Sequence, residues 1–132
     1  MSKPFLYFGI AISLAFSITP ALSAANTLTS EVLINANITG VADHKAIITH
    51  VKIPKGTPIP PHYHPTEEFL YLVQGEMILT IVGQADRHLK AGDSFKIPAK
   101  TVHTGASVAD ISEAIVFRVH PNGQPVIMAP PK

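Results

Sequence analysis

Pro58, Pro60 and Pro61 fix the backbone in the middle of this chain. Proline has no amide donor and restricts the residue before it, so the run excludes helix and delivers an extended chain to His62. Strand-type runs rich in Ile, Leu, Val and Thr surround it: 31–38, 45–53, 68–74, 77–82, 87–90, 94–97, 101–107 and 113–119. Turn residues separate them, as in Pro54-Lys55-Gly56, Gly75-Glu76, Ala91-Gly92-Asp93 and Pro98-Ala99-Lys100. Outside the N-terminal run no window carries a helical period. Short strands punctuated every eight to twelve positions or so predict an all-β antiparallel sandwich or barrel. Along 68–74, Glu68, Leu70 and Leu72 share one face, and Phe69, Tyr71 and Val73 share the other. Both faces are largely apolar, so both are expected to be covered.

The first residues form a different kind of sequence. Lys3 precedes an apolar run from Phe5 to Ile18, Pro20 breaks it, and Ala21-Leu22-Ser23-Ala24-Ala25 offers small residues for cleavage. This order predicts a secretory signal peptide over 1–24. The apolar run is shorter than the roughly 20 residues of a membrane span, so no membrane partner is expected after cleavage. The mature chain is then periplasmic or secreted. Residues 25–44 form a lead-in and edge strand, 45–120 the barrel, and 121–132 a proline-rich, irregular tail.

With no cysteine in the chain, neither a disulfide nor a lipidated cysteine is available. Removing Lys3 takes the formal charge from +1 to about zero. No basic run or basic–aromatic alternation is present, which leaves nucleic-acid binding without support.

The chemistry is concentrated in 56–75. His62 and His64 are two apart, so in an extended chain they share a face, about 6.8 Å apart along it. Pro65 cannot donate to a sheet ladder and predicts a break there. Such a break lets Glu68 return beside the histidines as an oxygen ligand. A fourth ligand must come from elsewhere, and His103 is the candidate. A lone His-x-His is also found on ordinary surface loops; the added Glu, His and glycines in register favour one divalent metal.

A second stretch, 92–107, completes the pattern. The two stretches together resemble the cupin superfamily. Gly56, His62, His64, Glu68 and Gly75 match every position of its first motif, and Gly92, Pro98 and His103 match its second. Lys100 stands where glycine is usual, and Ser107 where asparagine is usual. The resemblance covers roughly 45–120. It implies a single jelly-roll β-barrel holding one divalent transition ion through His62, His64, Glu68 and His103. Imidazole and carboxylate suit iron, manganese, nickel, copper or zinc. Three neutral histidines and one carboxylate leave such a centre with about one net positive charge, attractive to an anionic oxygen.

The expected function is a metal-dependent oxidoreductase of dioxygenase type on a small oxygenated organic substrate, with Glu68 shuttling a proton. A decarboxylase or isomerase would use the same site, and the strands show no further acid–base pair. A non-catalytic metal- or ligand-binding protein is the rival from another class. Glu67 is a rival to Glu68 by proximity, though family spacing favours Glu68. His44, His50, His88 and His120 are expected on the surface, and Tyr63 is expected to pack rather than react. Dimers are common among cupins, so Phe69, Tyr71 and Val73 are either outer core or a homodimer face.

Overall fold

A computed structural model describes residues 26–131; the expected signal segment, 1–24, lies outside them. The described residues contain eight strands and no helix: β1 (Thr29–Asn37), β2 (His44–Pro54), β3 (Glu68–Gln74), β4 (Glu76–Ile81), β5 (Arg87–Lys90), β6 (Ser94–Ile97), β7 (His103–Ser107) and β8 (Ile111–Pro121). They form a five-stranded sheet, β1-β2-β8-β3-β6, facing a three-stranded sheet, β5-β4-β7. All strand pairs are antiparallel. The ladders run within each sheet and do not close into a continuous barrel, so the jelly roll is two-layered.

The side-chain period of two sorts each strand into an inner and an outer set. On β3, Glu68, Leu70 and Leu72 are buried. Across the fold Leu70 and Leu72 meet Met77, Leu79 and Ile81 of β4, with Ile53, Leu89, Ile97, Ala114 and Val116 completing the core. Leu72 is 0% exposed. Truncating it to alanine would leave a cavity and cost about 2–5 kcal/mol.

The other face of β3 departs from expectation. Phe69, Tyr71 and Val73 are 41–50% exposed rather than covered. The outer-core alternative is thereby excluded within the chain, since apolar content alone does not distinguish a core face from an open one. Phe69 stacks at 5.9 Å on Phe117 of β8, so this outer surface is held partly by its own aromatic contacts.

Of the positions with positive φ, Gly75 and Lys100 both fall within the motifs. Gly75, between β3 and β4, has φ +82°, and a Cβ there would lie 2.4 Å from the Ile111 carbonyl oxygen. Lys100 has φ 57°. The turn before β7 therefore does use a left-handed residue, and this chain accepts the strain of a side chain there. Ser107, at the other departure from the motif, donates to the Ala109 carbonyl at 2.8 Å and lies 2.7 Å from Ser112 Oγ. A buried hydroxyl pair thus supports the β7–β8 connection.

Candidate metal centre

The proline run and β7 meet through one antiparallel bridge. The amide of His62 donates to the His103 carbonyl at 3.0 Å, and the amide of His103 returns the bond at 2.9 Å. Directly opposed residues in such a bridge project to the same face. The two imidazole centroids are consequently 4.4 Å apart. His64, two residues on, places its ring 4.8 Å from His62 and 5.3 Å from His103. Its carbonyl accepts from the Lys100 amide at 2.8 Å, which ties the two motifs together a second time. The chain bends at Pro65 and Thr66, as the proline predicted, before β3 begins at Glu68.

Each imidazole donates Nδ1–H to a backbone carbonyl. His62 bonds Pro60 at 2.8 Å, His64 bonds Val126 at 2.5 Å, and His103 bonds Thr101 at 2.9 Å. These bonds fix the tautomers and leave each Nε2 as an unprotonated lone pair. The three rings offer ligand atoms that all lie within 4.8 Å of one another. His103 Nε2 is buried with no hydrogen-bond partner. An orphaned acceptor facing two others is costly unless a cation completes it. The donor set therefore fits a divalent transition metal.

Burial lowers the pKa of His62 and of His103, against the opposing pull of the carbonyls each donates to. Both are thus neutral near pH 7, the form that ligates. Burial alone would raise Glu68. The guanidinium of Arg118, which donates to the carboxylate, outweighs that and holds the carboxyl at about 2.

Arg118 is the residue that sequence reasoning missed. It projects inward from β8, 6% exposed, and its Nη2 donates to Glu68 Oε2 and to His64 Nε2, the latter at 3.2 Å. Glu68 Oε2 is 3.0 Å from His64 Nε2. The strands thus hold a further charged side chain beside the ligands. The available signal was an arginine in phase with Ala114 and Val116 on a strand whose other residues read as core. Glu68 faces the same cavity as the histidines but stands outside their close cluster, with its carboxylate turned to Arg118.

The remaining candidates separate clearly. Glu67 is exposed and pairs with Lys96 at 3.3 Å. Tyr63 is half-buried and bridges by its backbone to Met128. His88 is exposed, while His44 and His50 are partly covered. His120 corrects the surface assignment, being 0% exposed. It lies on the inward phase of β8, and Nε2–H donates to the Gln124 carbonyl at 3.0 Å.

Above the cluster lies a cavity of about 340 Å³. Its deep walls are apolar: Ile53, Leu70, Met77, Leu79 and Val116. Its charged or ionisable lining is His62, Glu68, His103 and Arg118.

The comparisons with known proteins agree with this architecture. The chain is 37% identical over 71 residues to a 3-hydroxyanthranilate 3,4-dioxygenase of Mycosarcoma maydis, spanning 51% of this chain and 39% of that one. The chain therefore spans well under half of that relative's length. Among solved structures, an RmlC-like cupin from Methanocaldococcus jannaschii with a double-stranded β-helix fold superposes with TM-score 0.62. The pair are 24% identical, over 83% of this chain and 94% of that one. An oxalate oxidase in complex with the substrate analogue glycolate gives TM-score 0.62 at 21% identity, over 89% of this chain and 62% of that one. The sequence profile of the cupin domain matches residues 49–126. With two facing antiparallel sheets and that match across more than half its length, the chain belongs to the cupin family.

Proposed function

We propose that this chain is a metal-dependent oxidoreductase of dioxygenase type acting on a small oxygenated organic substrate. His62, His64 and His103 would hold one divalent ion, with Glu68 as the carboxylate ligand. The observation that carries the reading is the set of three imidazoles, each fixed by a backbone carbonyl, with the Nε2 of His103 buried and unpartnered. The partial similarity to a dioxygenase supports the reaction class. The predicted leader over 1–24 supports a periplasmic or secreted location, and the open Phe69–Tyr71 surface is compatible with a homodimer.

When bound, such an ion supplies a Lewis-acidic, redox-capable centre for the oxygen of the substrate. The chain's own contributions follow from its side chains. Glu68 is ionised at neutral pH, and its ion pair with Arg118 keeps it a weak base, so accepting a proton from the substrate requires that pair to open. Arg118 changes the charge count: three neutral histidines, a divalent ion, one carboxylate and one guanidinium sum to about +2 rather than about +1. The cavity therefore attracts an anionic group more strongly than the ligands alone would. The apolar walls offer an unhydrated surface to the body of the substrate.

Elemental mass spectrometry on protein purified from its native compartment tests the reading. About one equivalent of divalent metal is expected, lost in His62→Ala/His103→Ala. Oxygen uptake with candidate substrates then distinguishes the reaction types. Turnover without oxygen uptake would indicate a decarboxylase or isomerase, and ligand binding without turnover a binding protein. Absence of metal after purification and after titration would overturn the proposal.

A further inference from the structure

We infer that the segment after β8 is the specificity wall of the cavity, and that the cavity takes a small monocarboxylate whose apolar body is measured by Met128. This rests on the reading of the histidine end as the reactive end.

The tail was expected to be irregular, and it has little regular structure, but it is firmly anchored. The Asn122 amide donates to the Asp43 carbonyl at 2.8 Å. The buried His120 holds the Gln124 carbonyl. Val126 then supplies the carbonyl that orients His64. Met128 exchanges both backbone bonds with Tyr63, at 3.0 and 2.9 Å. This path runs beside the metal centre, and Ile127, Met128 and Ala129 line the cavity as a result. Ile127 is 62% exposed while also lining the cavity, so this segment forms part of the mouth. The family profile ends at residue 126. The wall at 127–129 therefore lies outside the matched cupin domain.

The chemical class follows from the lining. The ionisable groups are gathered in one cluster, and apart from them only Ser30 carries a polar side chain. A ligand with one anionic head finds a net positive partner there. A second anionic or strongly polar group would be desolvated against Leu70, Met77, Leu79 and Val116 without compensation. The volume is near the lower end of small-molecule sites, roughly 300–1,000 Å³, which suits a short apolar body.

The test is a calorimetric titration of the zinc-loaded protein with acetate, butanoate, hexanoate and octanoate, and with the matching amides. Affinity should rise by about tenfold per two carbons while space lasts, then fall. The amides should bind at least about tenfold more weakly than the acids. Met128→Ala should move the optimum to a longer acid, and Ala129→Leu, at an exposed and tolerant position, to a shorter one. A flat length series, an optimum unmoved in both variants, or amides binding as tightly as acids would overturn the inference. Zinc content is measured first. Failure to load zinc sinks the proposed function, and a length series of straight-chain alcohols on the zinc-free protein, whose apolar walls are unchanged, then decides the wall by the same criteria.

Discussion

Arg118 lies where a cation would serve both Glu68 and His64: one nitrogen, Nη2, donates to Glu68 Oε2 and to the Nε2 of His64. The guanidinium therefore satisfies two acceptors that the proposed metal would also use. In Arg118→Met both are freed and a nearby positive charge is removed. Zinc affinity should rise by at least about tenfold, read by competition with a chromophoric chelator. A fall in affinity would show instead that Arg118 positions the ligands.

The same substitution should weaken the metal-free fold. Glu68 and Arg118 side chains are 6% and 8% exposed. Removing one partner leaves a buried carboxylate unpaired, at a cost of about 3–5 kcal/mol. Urea unfolding of metal-free Arg118→Met and of Arg118→Met/Glu68→Leu checks this. The double variant should recover much of the loss, because it leaves no orphaned charge.

Much of this arrangement was legible in the sequence. The proline run, the two-residue histidine spacing and the turn glycines located the strands and brought His62, His64 and His103 to one place. What was not legible depended on which face of a strand turns inward. β8 alternates Ser112, Ala114, Val116, Arg118 and His120 with Glu113, Ile115, Phe117 and Val119. The second set is the more apolar, yet the first is buried, because Arg118 is held inside by Glu68 and His64 and His120 by the Gln124 carbonyl. That inversion hid both Arg118 and His120. The backbone bonds from Val126 and Met128 were also invisible, since a carbonyl leaves no mark in a side-chain pattern.

Lys100→Gly should be mildly stabilising. An L side chain in the left-handed region costs about 1–2 kcal/mol. Glycine relieves that cost but returns about 0.4–1 kcal/mol of freedom to the unfolded chain. A net gain of up to about 1 kcal/mol is expected in urea melts. An unchanged or lowered midpoint would mean that the lysine side chain contributes contacts that offset its strain.

Gly75→Ala should do the opposite. Both the positive φ and the approach of Ile111 and Ser112 oppose a Cβ, and two of the three nearest atoms are backbone. The β3–β4 turn must shift, at a cost of at least about 1–3 kcal/mol. Because Leu72 and Met77 flank this turn in the core, thermal unfolding is the direct readout. A melting temperature within a degree or so of wild type would show that the turn relaxes freely.

The stability of the metal-free protein should rise with pH from acid to near neutral, for two separable reasons. Glu68 has a folded pKa of about 2 against an ordinary value of 4.5. Its contribution is present above 4.5 and is lost as pH falls toward 2, because the unfolded chain takes up the proton first. The loss is on the order of 3 kcal/mol. His62 and His103 also lie below their ordinary 6.5. Their burial as neutral rings favours folding above 6.5 and loses ground as pH falls through and below it, where the unfolded chain protonates more readily. Urea unfolding between pH 8 and pH 2 should therefore show a decline beginning near 6.5 and a second one below 4.5. Glu68→Gln should flatten the lower limb, and His62→Gln/His103→Gln the upper one. A lower limb that keeps its full slope in Glu68→Gln would place the acid sensitivity in other carboxylates.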